Sequence, residues 1–75
     1  MITRLTQTIY PVRGEPKVVV KEWPYDKEFC MKIIKQRFKN IPTGALYDLN
    51  RRNECTIVDK FLSKVHMRLE FMENV

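Results

Sequence analysis

The sequence predicts an α+β domain: an N-terminal β-hairpin packed on a central amphipathic helix, followed by a short helix or loop and a C-terminal helix. Three observations predict it. Two runs rich in Thr, Ile and Val flank a Gly- and Pro-containing turn within the first third. Apolar residues then recur at helical spacing between Asp26 and Pro42. Finally, neither Gly nor Pro interrupts the chain between Glu54 and Glu73.

The 75 residues (1–75) fit one domain. A chain of this length buries only about 60% of its unfolded surface, so its core is thin. The hydrophobic content of 44% and the eight aromatic residues nevertheless argue for a folded domain rather than a disordered one. Homodimerisation is a natural way to enlarge so small a core.

Residues 2–12 carry the Thr, Ile and Tyr of a strand. Arg13-Gly14-Glu15-Pro16 signals a turn, because Gly takes positive φ freely and Pro cannot continue a ladder. Lys17 to Trp23 reads as the returning strand, stopped by Pro24. A lone hairpin is marginal in water, so it must pack on something. Asp26 is a favoured N-cap. After it, Phe29, Cys30, Ile33, Ile34, Phe38 and Ile41 fill one arc at about 100° per residue. Lys32, Lys35, Gln36 and Lys39 fall on the opposite face, and Arg37 projects beside the apolar arc.

Residues 43–53 suit a short helix, with Thr43 as cap, or a structured loop; Gly44 and Asn50 weaken helix formation. The last twenty residues match two patterns. As a helix, Val58, Leu62, Val65, Leu69 and Met72 follow a four-three-four-three seam, and Thr56-Ile57-Val58-Asp59 matches a capping box. As a strand, Val65, Met67, Leu69 and Phe71 alternate with His66, Arg68 and Glu70, giving a C-terminal β-hairpin as the alternative. A hairpin needs a turn near Leu62-Ser63, where Gly and Pro are missing, and the helix is therefore the expectation.

The net charge of +5 is uneven along the chain. Residues 43–75 balance five cations against five acids, while Phe29 to Tyr47 contains Lys32, Lys35, Arg37 and Lys39 and no acid. Such a stretch suits an anionic partner. An ordinary helix also explains part of it, because acids at its start and lysines later complement the helix dipole.

Catalysis finds little support. His66 is the only histidine and has no nucleophile arrangement around it. The chain contains no phosphate loop, dinucleotide fingerprint or zinc-protease motif, and two glycines cannot build a Gly-rich cradle. Cys30, Cys55 and His66 fall short of a four-ligand zinc site, so no metal and no cofactor are expected; both cysteines suit the core. The N-terminal segment lacks the pattern of a signal peptide, and no run approaches the ~18 apolar residues of a membrane span. A cytoplasmic chain with no membrane partner is the expectation.

The function these features favour is a small non-enzymatic regulator contacting nucleic acid, or machinery that handles it. Lys32, Lys35, Gln36, Lys39, Arg51 and Arg52 would carry the contact by neutralising phosphates. A helix-turn-helix is open if both 45–52 and the C-terminal segment are helical, with Lys60, Lys64 and Arg68 on one face. The alternative is a protein-binding inhibitor or adaptor of the kind mobile elements encode. Its contact patch would be Met67 and Phe71, exposed four residues apart on a C-terminal helix.

Overall fold

The computed structural model describes residues 2–38 and 40–72. The chain runs through β1 (Ile2–Tyr10), β2 (Lys17–Trp23), α1 (Lys27–Arg37), α2 (Thr43–Arg52), β3 (Glu54–Val58) and β4 (Lys64–Met72). One antiparallel sheet holds all four strands in the order β2-β1-β4-β3. The first and last strands are thus the central pair, and each hairpin contributes one edge.

The N-terminal hairpin forms as its sequence predicts. Gly14 takes a φ of 104° in the turn, a conformation that other residues adopt only with strain. Strand alternation then sorts β1 cleanly. Thr3, Leu5 and Gln7 are buried, and Arg4, Thr6 and Thr8 lie on the opposite face. In register with them, β4 buries Val65, Met67 and Leu69, and β3 buries Cys55.

Both helices cover that buried face. Ile34 of α1 and Leu49 of α2 are fully buried against Leu5, Met67 and Leu69. α1 starts where Asp26 accepts a hydrogen bond from the Phe29 amide at 3.0 Å. It ends at Phe38, earlier than the apolar spacing to Ile41 suggests. The connection is fixed from below: Thr3 Oγ1 and Cys30 Sγ both donate to the Tyr25 carbonyl, at 2.8 and 3.7 Å. α2 begins after Pro42 rather than being capped by Thr43, which is its first residue. Its end is set by Asn53, which takes the left-handed conformation that Asn tolerates better than most residues.

The C-terminal helix is the main correction. Residues 54–72 form the β3–β4 hairpin instead, and the turn chemistry comes from Asp59. Its carboxylate accepts from the Phe61 and Ser63 amides, both at 2.9 Å, while Leu62 N–H donates to the Asp59 carbonyl at 3.1 Å. Leu62 supplies the left-handed residue at φ 63° although it is not Gly. The helix-turn-helix falls with the helix. Lys64 and Arg68 lie on the outer face of a strand, and Lys60 is in the turn. Met67 is fully buried and Phe71 points to the same helical side, so the exposed Met67/Phe71 stripe is not formed.

The turn is testable. Leu62 is 74% exposed and buries little, so Leu62→Gly removes left-handed strain at small cost and is predicted to raise stability by up to about 1 kcal/mol. Asp59→Ala leaves two amides without their acceptor and should lower stability by about 1–2 kcal/mol. Urea midpoints moving the same way for both variants would contradict this account of the turn.

Candidate nucleic-acid interface

The two faces of the molecule differ in charge. On the outer face of the sheet, Arg4, Lys64 and Arg68 are matched by Glu22, Glu54 and Glu70. Arg4 Nε meets Glu22 Oε2 at 3.0 Å, and register places Glu70 on its other side. Arg68 stands directly across from Glu54, whose Oε2 also lies 3.8 Å from His66 Nε2. His66 is therefore a strand residue on the outer face of the sheet, beside Glu54.

The helical side is unbalanced. Among the described residues, α1, α2 and the inward side of β2 carry eight cations: Lys17, Lys21, Lys27, Lys32, Lys35, Arg37, Arg51 and Arg52. Asp26, Glu28 and Asp48 are the acids there, and Asp26 is occupied in capping α1. Among the described residues the positive excess thus sits on this layer, while the sheet's outer face carries equal numbers of Lys/Arg and Glu.

Within that layer a groove of about 610 Å³ runs between α1 and α2. Lys27, Lys32 and Lys35 line one bank together with one acid, Glu28; Tyr47 and Asn50 line the other, and half-buried Met31 and Leu46 also line the groove. Helical spacing produces the first bank, since 27, 31 and 35 lie four apart and fall on one stripe. Three contacts order the side chains of the banks. Lys27 Nζ donates to Asn53 Oδ1 at 2.7 Å and also stands 5.8 Å from the Phe71 ring centroid. Arg51 Nη1 donates to Tyr47 Oη at 3.4 Å, setting a guanidinium beside a ring that is 58% exposed. The groove therefore offers cations at its rim, an aromatic edge and an apolar lining.

The expected contact residues divide accordingly. Lys32 and Lys35 line the groove, Arg51 adjoins it through Tyr47, and Arg52 is exposed at the end of α2. Gln36 is exposed on α1 but lies outside the groove lining. Lys39 falls outside the described residues. Sequence reasoning missed Lys27, although its four-residue spacing to Met31 and Lys35 carries the signal. The large exposed apolar residues sit elsewhere than expected, with Phe61 and Leu62 at the β3–β4 turn 70% and 74% exposed.

The thiols stand apart from the groove. Cys30 and Cys55 are free and buried. Burial pushes the Cys55 thiol up to about 11, with Asp48 adding to the shift, and burial also raises Cys30. Among the described residues, no three His, Cys, Asp or Glu side chains gather where they could hold a metal ion. None of the described helices is long and apolar enough to cross a membrane.

The raised thiol sets a pH dependence. Below pH 9.0, the ordinary thiol value, Cys55 is protonated whether folded or unfolded and has no effect on stability. Between pH 9.0 and about 11 the unfolded chain loses this proton and the native one keeps it, so stability is predicted to fall across that window. Comparing urea midpoints of wild type and Cys55→Ala at pH 8 and pH 10.5 tests this. An equal loss in both proteins would contradict the assignment to Cys55. No protein-family model, curated protein or solved structure matches this chain, so its functional reading rests on the geometry above.

Proposed function

We propose that this protein is a non-enzymatic binding module that contacts nucleic acid through its helical layer, with the α1–α2 groove as the centre of the contact. The observation that carries the reading is the segregation of charge: a balanced sheet face opposite a layer with eight cations and three acids. Lysines spaced along a rim neutralise successive phosphates and release their counterions. Tyr47 and the apolar lining add a surface on which an unpaired base can stack, which favours single strands over duplex. Lys32, Lys35, Arg51 and Arg52 bind backbone, Tyr47 stacks, and Asn50 offers hydrogen bonds to a base edge. The protein acts by occupancy rather than turnover. The protein-binding alternative loses its motivating patch, because Met67 is buried in the core.

Fluorescence anisotropy with a labelled single-stranded oligonucleotide and the matching duplex tests the proposal. Three or four neutralised phosphates predict a log-log salt slope of roughly −2 to −3 for the single strand, about a 15- to 60-fold loss between 50 and 200 mM salt. Lys32→Glu/Lys35→Glu should abolish binding with the circular dichroism unchanged. Tyr47→Ala should weaken single-strand binding by about 1–3 kcal/mol and duplex binding less. Failure to bind either probe at low salt would refute the proposal, and undiminished binding by the double lysine variant would refute the location.

A further inference from the structure

β2 is an edge strand with β1 on one side only. It is seven residues long, contains no proline and keeps an unbroken register with β1 from Lys17 to Trp23. Val18, Val19 and Val20 are 63%, 37% and 52% exposed. A regular, β-branched edge of this length is a template for another strand, and proteins usually blunt such edges with bulges, prolines or charges. The lysines here blunt only one side. Lys17 and Lys21 share the helical face with Leu5 and Ile9, and Lys21 Nζ stands 5.6 Å from the Phe38 ring centroid. The outer side presents Val18, Val20 and Glu22. The opposite edge, β3, is only five residues long and carries Glu54 at its start.

We propose that β2 pairs antiparallel with β2 of a second copy about a two-fold axis at Val20, merging two four-stranded sheets into one of eight strands. Side-chain alternation and charge select the register. Because each face continues across the axis, odd-numbered residues meet odd ones and even meet even. An axis at Val19 sets Lys17 opposite Lys21 twice, and an axis at Lys21 sets two lysines against each other; like charges directly opposite are unfavourable. An axis at Val20 avoids both. It pairs Val20 with Val20, Val18 with Glu22 and Val19 with Lys21, and it brings each Lys17 ammonium across from a Trp23 ring. Such an axis stands perpendicular to the sheet, so both helical layers lie on the same side. Two cationic grooves then face one way, which extends the proposed nucleic-acid surface. The pairing itself rests on the strand edge alone, and its test contains no nucleic acid, so either proposal can fail without the other.

Sedimentation equilibrium of wild type, Val20→Lys and Val18→Lys tests the pairing. Wild type is expected to dimerise at micromolar concentrations. Val20→Lys places two ammonium groups together at the axis and should be monomeric throughout, with an unchanged circular dichroism spectrum, since Val20 is half exposed on the outer face. Val18→Lys sets an ammonium opposite Glu22 on each side of the axis and should lower the dissociation constant several-fold. Wild type that stays monomeric up to about 1 mM overturns the pairing. A Val20→Lys dimer as tight as wild type, or a Val18→Lys dimer weaker than wild type, overturns the register.

Discussion

The fold depends on the antiparallel pairing of β1 with β4, strands from opposite ends of the chain. Neither hairpin is stable alone, because two strands cannot bury a face. Joined through Ile2–Tyr10 and Lys64–Met72, they present one buried, mostly apolar surface: Leu5 beside Leu69, Gln7 beside Met67, Ile9 beside Val65. That surface is what Ile34 and Leu49 pack on, so the pairing supplies the platform for both helices. The groove between them inherits its geometry from the same seam. Such distant partners close a long loop before they gain contacts, which makes this step the entropically demanding part of folding.

Local chemistry made the first half of the chain legible. Gly14 and Pro16 announce the turn, Asp26 announces α1, and the Thr, Ile and Tyr of residues 2–12 announce a strand. The second half misleads for a definite reason. Val65 and Leu69 satisfy a period of two and a period of three and a half equally well, and both patterns claim them. Asp59 is ambiguous in the same way, because a carboxylate accepting nearby amides can cap a helix or close a hairpin turn. Leu62 then hides the turn, since it takes a left-handed conformation usually marked by Gly or Asn. What decides is not local: β1 has a second edge to fill, and only a strand from the end of the chain fills it.

The candidate site was legible as a list and not as a surface. Lys32 and Lys35 stand out in sequence because no acid interrupts them. Their partnership with Tyr47 and Asn50 depends on how α2 docks, and the hydrogen bond from Lys27 to Asn53 that ties the helix ends together has no sequence signature. The neutrality of the opposite face is equally invisible along the chain. Arg4 is followed by no nearby acid, yet the register brings it to Glu22 and Glu70. Charge balance is a property of faces, and faces are set by register. A field that is positive on one side and compensated on the other orients an approaching polyanion toward the helical layer.

Residue-resolved amide hydrogen exchange tests the central pairing most directly. If β1 and β4 form the seam on which the rest is built, amides of Leu5–Ile9 and Val65–Leu69 are the slowest to exchange. They should also share one opening free energy, equal to that of global unfolding, with the amides of α1 opening at lower cost. A separate and lower opening free energy for residues 64–72, with β1 still protected, would contradict the account.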